Sequence, residues 1–298
     1  MSAPRLSVPL SGTTRLYGLM GYPLGHSLSP FMHTLAFHHH GLDSLYVPFP
    51  VPPTRLPEAV RGAVALGVQG FNVTIPHKEA ILPLLDELAP EAELMGAVNT
   101  VCVVDGRTRG HNTDGQGFLQ PLQALSLRVS ELPALVLGAG GAARAVAVAL
   151  LQAGCPALTL ANRTYERGER LAVALQQRFP HAQVRAVPLT RAADSAAECR
   201  LIVNATAVGL ASGQAELLPA ACLRAEHIVY DLVYRPLYTA LLQTARRHEA
   251  TVIPGIEMLL GQGAVAFQLW TGLPFPMDLV RQKVYALLTS SQSAQSGQ

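Results

Sequence analysis

The chain has 298 residues, enough for two domains of ordinary size, and 49% of them are hydrophobic against 14% charged. That balance fills a large core and excludes a disordered chain. A net charge of +2, evenly spread, gives no reason to expect a nucleic-acid partner, and no run approaches the ~20 apolar residues of a membrane span. Cys102, Cys155, Cys199 and Cys222 are dispersed without a CxxC pair, which fits a reducing compartment. Residues 1–12 hold Arg5 but no long apolar run behind it, so no signal peptide and a cytoplasmic location are expected.

Residues 16–20 read as a short buried strand ending in the Gly21-Tyr22-Pro23 turn. Ser29-Pro30 then supplies an N-cap and a first-turn proline for a helix to about His40. A second strand follows at 44–49, and the apolar spacing of Leu56, Ala59, Val60, Ala63 and Val64 predicts a helix. Residues 70–75 are a third strand closed by Pro76, and 98–111 a hairpin around Asp105-Gly106. The pattern breaks into a linker-like stretch over 125–133, after which a second α/β run begins. Strands are expected at 134–137, 157–161, near Val184, at 201–204, 228–231 and 251–253. Helices are expected at 141–153, 166–177, 255–271 and 276–289, and residues 290–298, rich in Ser and Gln, as a disordered tail. Strand–helix alternation of this kind predicts parallel βαβ units, and the whole reads as α/β, two α/β domains in series.

The stretch 135–143, Leu-Val-Leu-Gly-Ala-Gly-Gly-Ala-Ala, matches G-x-G-x-x-A directly after an apolar strand. Gly138 permits the tight turn, Gly140 lets the backbone approach a pyrophosphate, and Ala143 lets the helix pack closely on the sheet. Ala139, Gly141 and Ala142 complete the loop, whose helix points free N–H groups at the phosphates. An ordinary strand-to-helix turn can look the same, but here strand, loop, helix and second strand agree. That second strand ends in Asn162-Arg163-Thr164, with Arg167 beyond, where an NAD site usually places an acid. Guanidiniums in place of a carboxylate suit a 2′-phosphate, hence NADP; the alternative is a solvated helix start.

Three polar segments sit beside buried strands in the first half: residues 25–30 with Ser27 and Ser29, residues 72–78 with Thr74 and Lys78, and the pair 97–100 and 112–115 with Asn99 and Asp114. Hydroxyls, amides, one lysine and one carboxylate suit a small ligand bearing several hydroxyls. With GHSLSP, NVTIPHK, GAVNT, NTDG, GAGGAAR, NRT, NATAVG, YDLVY and PGIEMLLGQGA in order, the chain resembles the shikimate dehydrogenase family over nearly its whole length. The resemblance implies reversible reduction of 3-dehydroshikimate to shikimate with NADPH, by a monomer or homodimer. It also implies a discontinuous substrate-binding domain with a mixed sheet, 1–114 plus 255–298, around a doubly wound, Rossmann-type NADP-binding domain, 115–254.

Position by position, Lys78 and Asp114 match the family's catalytic pair, and Ser27 and Ser29 the hydroxyls that hold the substrate carboxylate. Asn99 and Asp114 match groups near the ring hydroxyls, with Thr74, Tyr234 and Gln262 also facing the ring. Asn162, Arg163 and Thr164 match the 2′-phosphate site, Met258 lies at the nicotinamide position, and Ala205, Thr206, Leu232 and Gly255 complete the cofactor set. His111 and Pro254 stand where many relatives carry an acid, which bears on local loop geometry only. Reduction of a ketone needs a hydride and a proton, and a lysine at the reacting oxygen can stabilise the developing charge or donate that proton. Taken singly, Lys78 could be a surface lysine and Asp114 a helix cap. An NAD-using quinate/shikimate dehydrogenase and a non-catalytic ligand-binding relative are the alternatives. No metal is expected: His38, His39 and His40 are consecutive and face apart on a helix, and His77 reads as a loop histidine.

Overall fold

The computed structural model describes residues 10–209 and 217–295, so most of the stretch read for a leader lies outside the described residues. In chain order the strands are β1 (Arg15–Gly21), β2 (Ser44–Pro50), β3 (Val68–Val73), β4 (Glu87–Leu88), β5 (Thr100–Val104), β6 (Arg107–His111), β7 (Ala134–Leu137), β8 (Ala157–Asn162), β9 (Gln183–Pro188), β10 (Leu201–Asn204), β11 (Ile228–Asp231) and β12 (Thr251–Pro254). The helices are α1 (Ser29–His39), α2 (Leu56–Ala65), α3 (Pro90–Met95), α4 (Asp114–Ala124), α5 (Gly141–Gln152), α6 (Tyr165–Arg178), α7 (Ala192–Ala196), α8 (Ala240–Arg247), α9 (Ile256–Thr271) and α10 (Met277–Gln295).

The chain forms two compact units, Met1–Thr113 with Gly263–Val284, and Asp114–Gln262 with Tyr285–Gln298. These bounds differ from the expected division at 254/255, since the start of α9 goes with the second unit and the end of α10 returns to it. In the second unit Tyr285 donates to Glu257 Oε1 at 2.7 Å, which ties the last turns of α10 to the first turn of α9. The linker-like stretch over 125–133 is no boundary either. Val129 and Leu132 are buried there, and the chain changes units before α4.

The first unit holds a mixed sheet of order β2-β1-β3-β5-β6-β4. β1 pairs in parallel with β2 and β3, as βαβ connections require, while β5 and β6 form the expected hairpin. Its two-residue turn has Asp105 at φ 51° and Gly106 at φ 75°, the left-handed pair that matches strand twist. Met20, Val60, Phe71, Val73 and Val101 fill one layer against α2. Tyr17, Phe37, Tyr46 and Phe267 fill another, with Trp270 fixed by donation from Nε1 to Val101 O at 3.0 Å.

The second unit holds a wholly parallel sheet of order β12-β11-β10-β7-β8-β9, the doubly wound arrangement in which strand order reverses beside β7. β7 and β10 are buried at every position, as strands covered by helices on both faces must be. In the same unit α4 and the start of α9 meet backbone to backbone. A Cβ on Gly117 would lie 2.3 Å from the Gln262 nitrogen, and one on Gly261 2.7 Å from the Gly117 oxygen.

Several elements differ from expectation. Ser29 is the first residue of α1, not its cap; Leu28 takes that place without a side-chain bond, and Ser27 Oγ accepts from Ser29 N at 3.3 Å. The tail expected to be disordered continues α10 to Gln295, and residues 296–298 lie outside the described residues. β4, α3, α7 and α8 were not anticipated. α8 had a readable start, because Thr239 Oγ1 accepts from Leu242 N at 3.3 Å.

Candidate active site

Topology brings the polar segments of the first unit to one edge. Loop 22–28 leaves the end of β1, and Thr74 leads from the end of β3 to Lys78. β5 and β6 are antiparallel, so Asn99 before β5 and Asn112–Thr113 after β6 reach the same edge. Two of the turns are pinned through the backbone: Tyr22 N donates to Ile75 O at 3.0 Å and Val98 N to Lys78 O at 2.8 Å. His77 departs from the loop histidine expected. It is buried and bonded through Nε2 to Val51 O at 2.7 Å, which anchors the segment that presents Lys78.

A side-chain network lies beneath this edge. Tyr46 donates to Asn72 Oδ1 at 2.6 Å, and Asn72 Nδ2 donates to Asn99 O at 3.2 Å and to Thr100 Oγ1 at 3.0 Å. Asn99 Oδ1 accepts from Thr113 N at 2.8 Å and from Thr100 Oγ1 at 3.0 Å, while its Nδ2 donates to Thr113 Oγ1 at 3.0 Å. Asn99 is therefore part of the frame as well as of the edge. Burial pushes the Tyr46 phenol well above its ordinary pKa, with the Ser29 hydroxyl opposing. His33 stacks on Tyr46 with ring centroids 4.6 Å apart. Burial lowers its pKa from 6.5 to about 3, the Asn72 side chain opposing, so the ring is neutral. At the far end of the same sheet a cavity of about 430 Å³ is lined by Arg15, Tyr17, Cys102 and Trp270 among others; none of the expected site residues lines it.

In the second unit, every cofactor residue expected at a strand end lies at the carboxyl edge of the parallel sheet, where doubly wound folds bind ligands. Gly138 follows β7 at φ 113°, a conformation L side chains rarely adopt, and a Cβ there would meet Ala205 O at 3.1 Å. Gly140 is the N-cap of α5 without a side-chain bond, and a Cβ on Gly140 or Gly141 would meet nothing within 4 Å. Ala139 is half-buried, Gly141 and Ala142 exposed, so the loop presents open backbone beside uncapped N–H groups. That cradle fits a pyrophosphate.

Asn162 ends β8 and donates from Nδ2 to Thr164 O at 2.8 Å, which holds the turn that carries Arg163. Arg163, Thr164 and Arg167 are exposed. Ala205 and Thr206 follow β10, and Leu232 and Tyr234 follow β11. Burial raises the Tyr234 phenol pKa, with Arg235 opposing, so it remains a donor. Gly255 precedes α9, which carries Met258 and Gln262; Gln262 Nε2 donates to Leu259 O at 2.9 Å. Asp114 opens α4 and is buried. Of the two positions where the resemblance led to an acid being expected, His111 pairs with Glu91 at 3.0 Å, and Pro254 ends β12 in register with Asp231.

No group of three or more His, Cys, Asp or Glu among the described residues could hold a metal. None of their helices is long and apolar enough to cross a membrane. The motifs passed over Tyr46 and His33, and contained Asn72, Asn204 and Asp231 without giving them a role. The available signal was a polar residue inside an otherwise apolar strand, as in Leu201–Asn204 and Ile228–Asp231.

Fold and edges together define a two-unit α/β protein whose second unit is built for a dinucleotide. Family models for the shikimate dehydrogenase substrate-binding domain, shikimate/quinate 5-dehydrogenase and the shikimate 5′-dehydrogenase C-terminal domain match residues 19–101, 122–222 and 255–285. A shikimate dehydrogenase (NADP⁺) of Geobacter sp. (strain M21) is 45% identical over 94% of this chain and 98% of its own length. The structure of a Thermus thermophilus shikimate 5-dehydrogenase in complex with NADP(H) and shikimate is 44% identical, with a TM-score of 0.81 over 90% of this chain and 97% of that one. A Corynebacterium glutamicum quinate dehydrogenase in complex with NAD is 33% identical, with a TM-score of 0.85 over 92% and 99%. The chain belongs to the shikimate dehydrogenase family.

Proposed function

We propose that the chain is an NADP-dependent shikimate dehydrogenase that interconverts 3-dehydroshikimate and shikimate. The observation that carries this reading is the glycine cradle at Gly138 followed by a second strand that ends in Asn162-Arg163 without an acid. Relatives named for the NADP⁺ activity agree with it, whereas the quinate dehydrogenase with NAD is less similar in sequence.

Bound NADPH supplies the hydride. Gly138, Ala139, Gly140, Gly141 and Ala142 would hold the pyrophosphate, through backbone N–H groups and the positive end of α5. Arg163 would hold the 2′-phosphate, Asn162 and Thr164 shape the turn that carries it, and Arg167 would add charge. Ala205, Thr206, Leu232, Gly255 and Met258 line the rest of the cofactor path. Ser27 and Ser29 donate to the substrate carboxylate, and Thr74, Asn99, Asp114, Tyr234 and Gln262 face the ring and its hydroxyls. Lys78 donates to the reacting oxygen, stabilises the charge that develops there and supplies the proton that completes the alcohol. Asp114 is its acidic counterpart in the catalytic pair.

The matching division of labour is a substrate-binding part, 1–114 with 255–298, and an NADP-binding part, 115–254. The protein works as a monomer or homodimer in the cytoplasm. The deciding measurement is turnover of shikimate and of quinate by purified protein with NADP⁺ and with NAD⁺. Highest kcat/KM for shikimate with NADP⁺ is expected; a preference for quinate with NAD⁺, or no turnover with any pair, overturns the reading.

A further inference from the structure

Asn204 and Asp231 end the neighbouring strands β10 and β11, stand in register and are wholly buried. Asp231 Oδ1 accepts from Asn204 Nδ2 at 2.8 Å and from Val233 N at 3.0 Å, while Oδ2 accepts from Thr239 Oγ1 at 2.6 Å. On the other side, Asn204 Oδ1 accepts from Thr206 N at 3.0 Å and from Thr206 Oγ1 at 2.7 Å. Asn204 Nδ2 also donates to Val208 O at 3.1 Å, and Val208 N donates to Thr206 Oγ1 at 3.1 Å. Two adjacent side chains thus tie the segment 205–208 after β10 to the segment 232–239 after β11.

A sheet that needed only packing would be better served here by two apolar residues, because a buried carboxylate is disfavoured unless its lone pairs are met. Here they are met by Val233 N and Thr239 Oγ1 from the loop after β11 and by Asn204 on β10, which in turn holds the loop after β10. Burial raises the Asp231 pKa while Thr239, Val233 and Asn204 oppose the shift. The arrangement therefore trades stability for fixed loop geometry. One loop carries Ala205 and Thr206, assigned to the cofactor; the other carries Leu232 and also Tyr234, which faces the substrate ring.

We propose that Asp231 is a positioning residue which, through Asn204, sets the cofactor loop and the Tyr234 loop as one unit, so that a single buried carboxylate governs binding of both reactants. This rests on the site assignments of the proposed function.

Asp231→Asn tests it, since the amide keeps the shape but turns an N–H toward donors that need an acceptor. Expected are rises of about tenfold in KM for both NADP⁺ and shikimate, the scale of one or two misplaced hydrogen bonds, with a smaller change in kcat. Amide hydrogen exchange at Thr206, Val208 and Val233 should quicken together. Unchanged KM values with only a lower melting temperature, or a rise in one KM alone, would each overturn the proposal. Should Asp231→Asn not fold, Thr206→Val removes the hydroxyl that joins Asn204 Oδ1 to Val208 N, at a half-buried position. Faster exchange at Val233 as well as Val208 then supports the tie, and a change confined to Val208 overturns it. The exchange measurements need no turnover, so they test the tie even if the protein proves inactive on shikimate.

Discussion

At the strand edge of the first unit, side chains hold side chains: Tyr46 orients Asn72, Asn72 orients Thr100, and Thr100 and Thr113 close on Asn99. At the edge of the second unit the ligand-facing surface around Gly138, Gly140 and Gly141 is backbone, and its geometry follows from a turn and a helix start. The two edges should therefore fail differently. A network of buried amides and hydroxyls is specific for one pattern of substrate hydroxyls and intolerant of truncation. A backbone cradle accepts any pyrophosphate, and selectivity has to be added by exposed side chains such as Arg163 and Arg167.

The largest effect should come from Lys78. Lys78→Ala is expected to lower kcat by at least about a hundredfold, the usual scale for losing an acid–base or charge-stabilising group. KM for shikimate should change far less, and a variant that keeps most of its turnover at saturation would remove Lys78 from the chemistry.

Next come the serines, each removed singly to Ala. A hydrogen bond to an anion contributes about 1.5–3 kcal/mol, so KM for shikimate should rise roughly ten- to hundredfold while KM for NADP⁺ stays nearly constant. If cofactor KM rises instead, Ser27 and Ser29 do not serve the first edge alone.

Arg163→Ala addresses the second edge. One charge-assisted bond to an exposed phosphate favours NADP⁺ over NAD⁺ by about tenfold or somewhat more, and the variant should lose that factor in kcat/KM. NAD⁺ kinetics should barely move, and raised salt should erode the wild-type preference. Equal wild-type kcat/KM for the two cofactors would show that the cradle alone sets binding.

The last effect falls on stability and leaves turnover aside. The folded His33 ring titrates at about 3 instead of 6.5, so between those values the unfolded chain binds a proton that the folded one refuses. Stability is therefore full above about pH 6.5 and falls by up to about 1.4 kcal/mol per pH unit as the medium is acidified through that window. His33→Phe should flatten the acid limb of a urea-denaturation series. An unchanged slope would mean that His33 is hydrated in solution.

What could be read directly from residues was whatever leaves a local signature. The Gly138 turn, the apolar strands β7 and β10, the Asp105-Gly106 hairpin and the acid-free end of β8 all declare themselves within a few residues. The positions of Ser27, Lys78 and Asp114 stood out as motifs, but their shared chemistry came from resemblance. What stayed hidden depends on register between distant strands. Asn72 meets Thr100 because β3 and β5 run antiparallel, and Asn204 meets Asp231 because β10 and β11 run in step. The end of α10 was misread because a run of Ser and Gln offers no apolar helical spacing. Tyr285, on the same helix, instead reaches Glu257.

Gly117 lies three residues past Asp114, and its missing side chain lets α4 approach the backbone of Gly261 and Gln262. A glycine inside a helix weakens it by roughly 0.5–1 kcal/mol, so this closeness is held against local preference. The distance between an acid at the head of one helix and an amide on another is thus kept by absent atoms. Over evolutionary time such a spacing drifts poorly. A conservative change at Asp114 or Gln262 leaves the ruler intact, but any side chain at position 117 or 261 lengthens it. The two glycines should be as slow to vary as the functional groups they separate.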